Sequence, residues 1–182
     1  MYPERSNVAT VSKRRRPITT EYYKYYDRYV SMVPEGEIIE ILREQLTSAE
    51  SFFGDIPPDK ADYRYQPEKW SIKEVFGHVI DVEWVFSYRA LRFARGDQPS
   101  LPGIEQDDLV AGANFDSRDL TSLCEEFKHL RSANILLFDS FDEKIMDRVG
   151  SASGFQFSVR SILYIIAGHL NYHIGIIRER YF

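Results

Sequence analysis

Three histidines offer the clearest chemistry in this chain. His169 and His173 stand four residues apart in Ala167-Gly168-His169-Leu170-Asn171-Tyr172-His173-Ile174, and His78 falls in Val75-Phe76-Gly77-His78-Val79-Ile80-Asp81. Each lies at helical spacing among apolar residues, where a packed helix would take Leu or Ile. Burying neighbouring imidazoles is unfavourable unless something pairs with their nitrogens. Positions i and i+4 share one helical face, so two rings can converge on one ion at ~2.0–2.1 Å. A third ring from another helix would complete a facial set and leave positions open, as catalytic sites do and closed structural sites do not. Neutral imidazoles suit zinc, nickel, iron or copper better than magnesium or calcium. The competing reading is a set of hydrogen-bonded core histidines. HxxxH recurs by chance, and Leu170 stands where an HExxH motif carries its glutamate. His129, beside Phe127 and Leu130 but off their stripe, is expected to be exposed.

Other candidates surround these three. Asp81, three residues after His78, could hydrogen-bond a ligand imidazole or a substrate, as ligand histidines commonly require, or could be a solvated helix residue. Arg89 could anchor an acidic cosubstrate or pair with Glu83 or Glu105. Asp81 and Arg89 are the catalytic candidates. Gln106 and Asp107 could line the mouth of a site. Asn134 interrupts an apolar stripe, where a buried amide fixes helix register or faces the site. Cys124, the only cysteine, excludes an intramolecular disulfide and reads as a small near-core residue rather than a nucleophile.

Four amphipathic helices must position these groups. The first runs from about 35 to 53 with a stripe of Ile38, Ile41, Leu42, Gln45, Leu46, Ala49, Phe52 and Phe53, ended by Gly54 and Pro57-Pro58. The second opens at Ser71-Ile72-Lys73-Glu74, a capping box flanked by Trp70 and Val75 as a hydrophobic staple, and runs to about Arg95 before Gly96. Its inward stripe is Val75, His78, Val82, Val85 and Arg89. Residues 96–116 read as a long loop punctuated by Pro99, Pro102, Gly103 and Gly112, a length often reserved for function or motion. The third helix spans about 118–141 and the fourth about 158–180. Between them lies a connector with short extended pieces at 147–149 and 154–157. The fold expected is all-α: a four-helix bundle over 34–182, an N-terminal extension over 1–33, and a long loop between helices 2 and 3.

The chain has 182 residues, 43% hydrophobic and 28% charged, enough for one soluble domain with a substantial core. A net charge of −5 argues against nucleic-acid binding, and Lys13-Arg14-Arg15-Arg16 reads as a solvated basic tail. The first twenty residues carry no apolar leader, and no apolar run nears the ~18 residues that a membrane span needs, so a cytoplasmic protein without membrane contact is expected. The segment Glu21-Tyr22-Tyr23-Lys24-Tyr25-Tyr26-Asp27-Arg28-Tyr29 suits either packing across the bundle or a homodimer contact.

These motifs resemble the DinB/YfiT-like family. The resemblance rests on Trp70 to Glu83, on Tyr88-Arg89-Ala90, on Gly168-His169-Leu170-Asn171-Tyr172-His173 and on the closing Ile177-Arg178-Glu179-Arg180-Tyr181. Gly103 to Val110 and Leu120 to Arg131 also fit, so it covers about 35–182. It implies a DinB-like bundle holding a divalent metal, zinc or nickel or else iron, on His78, His169 and His173. It further implies a small-molecule substrate. Relatives include thiol S-transferases that use low-molecular-weight thiols, mycothiol-dependent isomerases and metal-dependent hydrolases. The leading expectation is a thiol transferase, since a thiol that meets such a metal loses its proton. The alternatives are a hydrolase that activates water and a non-enzymatic metal-binding bundle.

Overall fold

The computed structural model describes residues 14–97 and 99–182. Its elements are α1 (Asp27–Val30), α2 (Ile38–Gly54), α3 (Ile72–Ala94), α4 (Gln106–Gly112), α5 (Leu120–Asp139), α6 (Glu143–Met146), β1 (Val149–Ala152), β2 (Phe155–Ser158) and α7 (Val159–Arg180). The four long helices, α2, α3, α5 and α7, form the bundle. Helix α2 packs on α5 and α7, and α3 packs on α7 and α5. Helices α2 and α3 therefore face each other across the diagonal, as do α5 and α7. This arrangement makes neighbours of α3 and α7, the two histidine-bearing helices.

Helix starts follow from their caps. The Ser71 hydroxyl accepts from the Glu74 amide at 3.3 Å, and the Glu74 carboxylate accepts from the Ser71 amide at 2.6 Å, closing the expected capping box. Helix α7 begins on Ser158, whose hydroxyl accepts from the Ser161 amide at 3.0 Å. Helix α3 ends before Gly96, whose φ of 79° takes the left-handed turn that glycine tolerates.

The core has two apolar halves. One gathers Ile38, Leu42, Phe86, Phe93, Phe138, Ile162 and Ile166, and the other Phe53, Phe76, Leu123, Phe127, Leu170 and Ile177. Where they meet, each long helix inserts polar residues. Glu83 of α3 takes a two-pronged pair from Arg131 of α5, both at 2.7 Å. Asn134 Nδ2 donates to Glu83 at 3.1 Å, and Arg131 donates to Gln45 Oε1 at 3.1 Å. Gln45 Nε2 in turn donates to the Ala167 carbonyl at 2.8 Å and to Asn171 at 2.7 Å. Asn134 thus serves as a register amide and ties α5 to α3.

Two expectations need correction. Residues 96–116 are not a structureless loop. They hold α4 and a 3₁₀ turn at Phe115–Ser117, and Leu101 bridges to Ala152 of β1. A seven-residue helix is too short for periodicity to reveal. The basic run is not a solvated tail either. Arg14 is buried, pairing with Glu37 at 3.0 Å and donating to the Phe141 carbonyl at 3.3 Å. Arg16 donates to the Val30 and Val33 carbonyls, and Arg15 pairs with Glu21 and Asp147. Lys13 lies outside the described residues. These arginines meet unpaired carbonyls and carboxylates on the bundle, which a count of charge along the chain cannot reveal.

The tyrosine-rich segment packs across its own bundle. Helix α1 crosses α7 so closely that a Cβ on Gly168 would lie 1.9 Å from the Tyr29 carbonyl oxygen. Glycine is required there for backbone proximity. The connector before α7 folds as an antiparallel hairpin pairing Val149 with Ser158 and Ala152 with Phe155. Its turn, Ser153-Gly154, has φ of 53° and 80°, the signature of a tight primed turn. No helix among the described residues is long and apolar enough to cross a membrane.

Candidate metal centre

His78 from α3 and His169 and His173 from α7 meet at one point. The His169 and His78 Nε2 atoms are 3.2 Å apart and those of His173 and His169 are 3.1 Å apart, with all three ligand atoms within 4.8 Å of one another. One aromatic ring steadies each imidazole: Trp70 at 4.8 Å from His78, Tyr29 at 5.1 Å from His169 and Tyr172 at 5.2 Å from His173, between ring centroids. Trp70 is held in turn by its carbonyl, which accepts from the Tyr181 hydroxyl at 2.6 Å. Gly77, next to His78, lets the Phe115 ring close in, since a Cβ there would come within 2.3 Å of it.

The rings are 1–8% exposed. Burial pushes the His78 pKa down to about 4, and burial with His78 nearby pushes His173 down to about 3. His169 is held well below the ordinary range by burial, then by His173 and His78. All three are therefore neutral at pH 7. A neutral ring nitrogen carries either a proton or a lone pair, never both. The Nε2 of His169 faces two other Nε2 atoms and cannot serve both with good hydrogen bonds. Three lone pairs directed at one cation resolve that conflict. Spacings of 3.1–3.2 Å match nitrogens sharing an ion at about 2.0–2.1 Å. The residues thus fit a divalent cation of the zinc, nickel or iron type.

A cleft reaches this cluster from two sides. One lobe, about 420 Å³, ends at His173 and is walled by Tyr25, Arg28, Tyr65, Lys69, Tyr172 and Tyr181. The other, about 370 Å³, ends at His78 and His169 and is walled by Val82, Phe86, Arg89, Ile104 and Ile165. Tyr25, Tyr29, Gln106 and Asp107 border both.

The remaining candidates divide. Arg89 lines the second lobe. It pairs with neither Glu83, which Arg131 occupies, nor Glu105. Gln106 and Asp107 stand at the mouth. Asp81 makes no hydrogen bond to a histidine. It lines a separate groove with Trp84, Asp108, Leu109 and Gly112, where burial and then Glu126 raise its pKa to about 6. The Nδ1 of His78 is buried without a partner, so the acceptor expected from Asp81 is not supplied. His129 is exposed, and Cys124 is half-buried with its thiol pushed up to about 11 by burial. Sequence reasoning missed Tyr29 and Trp70 as supports of the rings. Gly168 was the available signal, because a helix-interior glycine beside a histidine marks a close crossing.

A four-helix bundle with imidazoles converging from two adjacent helices defines a recognisable class. The sequence matches the DinB superfamily over residues 41–177, and the chain belongs to that superfamily. No curated protein matches it. Among solved structures, YfiT from Bacillus subtilis, a probable metal-dependent hydrolase with an unusual four-helix bundle topology, superposes with a TM-score of 0.70 at 13% identity over 91% of each chain. A mycothiol-dependent maleylpyruvate isomerase superposes with a TM-score of 0.64 at 11% identity. That match covers 80% of this chain and 61% of the isomerase, so this chain spans about three fifths of that protein's length. At these identities the likeness establishes the fold.

Proposed function

We propose that this protein is a divalent-metal-dependent enzyme that activates a low-molecular-weight thiol for transfer to a second small molecule, with His78, His169 and His173 as ligands. The observation that carries the metal is the convergence of three buried, neutral imidazoles on one point, where His169 Nε2 faces two like atoms and cannot hydrogen-bond well to both. A cation held by these three residues would supply a Lewis acid able to lower the pKa of a thiol bound to it. The protein fixes the rings through Trp70, Tyr29 and Tyr172 and keeps them unprotonated by burying them.

The two-lobed cleft favours transfer over hydrolysis. Hydrolysis needs one organic substrate and water, whereas two lobes meeting at the cluster suit two organic reactants. The hydroxyl-rich lobe with Arg28 and Lys69 suits a polar thiol, and the lobe that joins Val82, Phe86, Ile104 and Ile165 to Arg89 suits its electrophile. The mycothiol-dependent isomerase of similar fold supports the thiol reading, and YfiT supports hydrolysis as the second reading. Either would make this a protein of small molecules rather than of nucleic acid.

Purified protein is expected to hold one equivalent of zinc, nickel or iron, lost in His78→Ala and in His173→Ala. Protein prepared without chelator that contains no metal and takes up none overturns the reading. Titrating bacillithiol, mycothiol, glutathione and coenzyme A into the cobalt-substituted protein should give a charge-transfer band with at least one. Silence with all four sinks the transferase reading and leaves hydrolysis.

A further inference from the structure

One lobe of the cleft contains a charge that no carboxylate among the described residues pairs with. Arg89 is 2% exposed. Its Nη2 donates to the Pro102 carbonyl at 2.9 Å and to Ser153 Oγ at 3.2 Å, and the Tyr26 hydroxyl lies against the same guanidinium. Among the described residues no carboxylate pairs with it. The other buried arginines differ in this respect. Arg131 has Glu83 at 2.7 Å, Arg160 has Glu143 at 2.9 Å and Asp147 at 2.5 Å, and Arg14 has Glu37 at 3.0 Å. A guanidinium cannot shed its proton, and a buried charge without a partner is strongly unfavourable. Ser153, which holds it, occupies the left-handed backbone region at φ 53°, where non-glycine residues are uncommon.

The rest of the lobe indicates what brings the missing charge. Val82, Phe86, Ile104 and Ile165 give apolar walls, and about 370 Å³ accommodates a small organic molecule. Glu105 and Asp107, exposed on the rim, disfavour a ligand carrying several negative charges. We propose that this lobe is the subsite for a small organic monocarboxylate, with its carboxylate on Arg89, its apolar body on Val82, Phe86, Ile104 and Ile165, and its far end toward His78 and His169. The proposal rests on the metal-enzyme reading only in making that far end the reacting end; anion recognition itself requires Arg89 and the walls alone.

Calorimetric titration of the full chain in chelator tests it. Along the series propionate, butyrate, pentanoate and hexanoate, affinity should rise roughly fourfold per methylene, with inorganic phosphate displacing none of them. In Arg89→Met the hexanoate Kd should rise about 10- to 100-fold, the value of a charge-assisted hydrogen-bonded pair. Where that variant does not fold, Arg89→Lys takes its place. It retains the charge, loses the planar fork, and should weaken hexanoate severalfold. A flat chain-length series, displacement by phosphate, or wild-type hexanoate affinity in the folded variant overturns the proposal. Because chelator is present throughout, failure here leaves the metal reading intact, and a protein that never takes up metal still gives the carboxylate result.

Discussion

Two buried polar clusters sit where the apolar halves of the bundle meet, and they are built on opposite principles. In the cluster of Glu83, Arg131, Gln45 and Asn134, charge is matched by charge and each side chain is answered by a neighbour at 2.7–3.1 Å. In the cluster of His78, His169 and His173, like faces like, and the His78 Nδ1 atom is buried with no partner. The closed network sets the register of the helices. The unsatisfied one is available to a ligand. Their difference teaches that burial alone does not mark a functional polar group; incomplete pairing does.

The largest expected effect comes from opening the closed cluster. Glu83→Gln leaves Arg131, 0% exposed, without its counter-charge. Urea denaturation should show a loss of about 3–5 kcal/mol, the penalty for breaking a buried pair on one side. The reverse substitution, closing the open cluster, should help the metal-free protein in acid. The three imidazoles have pKa values depressed below 6.5, so the unfolded chain binds more protons than the folded one below that pH. Their stability contribution is complete above pH 6.5 and is lost as pH falls through about 4 for His78 and about 3 for His173, by about 3 kcal/mol at pH 4 for His78 alone. His78→Leu, melted between pH 7 and pH 4 without metal, should lose less stability than the wild type. An equal loss in both would place the acid sensitivity elsewhere.

Smaller effects test what surrounds the open cluster. Gly168→Ala drives a methyl group into the Tyr29 backbone and should cost about 1–3 kcal/mol while also weakening metal uptake, because Tyr29 braces His169. Metal affinity unchanged in that variant would show that α1 only covers the site. His129→Ala, at a side chain 79% exposed, should stay within about 0.5 kcal/mol of the wild type and keep full metal content. That contrast makes it the control for the other three histidines.

Much of this was legible in the sequence. The Ser71–Glu74 capping box, the stripe periodicities and the i, i+4 histidines are local signals, and the bundle and the histidine convergence follow from them. What was hidden depends on chain segments distant in sequence. Arg89 reads either as an anchor for an acidic cosubstrate or as a partner of Glu83 or Glu105, and the choice is made only once Glu83 is seen to belong to Arg131. Asp81 stands three residues from His78, yet that offset turns it toward α4 and α5 rather than toward the rings. The arginines at 14–16 look solvated because their carbonyl and carboxylate partners lie as much as 132 residues away. Helix α1, four residues long, has no periodicity to detect, and only Gly168 hinted at its crossing.

The diagonal placement of α2 and α3 has a kinetic consequence. His78 and His169 are separated by 91 positions, so their meeting requires closure of a long segment, and α3 must wait for α7, the last long helix of the chain, before the cluster exists. Contacts of such sequence separation are entropically slow to form and tend to arrive after the rate-limiting step. An ion captured there would have little to grip in a collapsing chain and much to grip in the finished one. It would therefore act on the lifetime of the native protein, slowing its opening while leaving the speed of its assembly nearly unchanged.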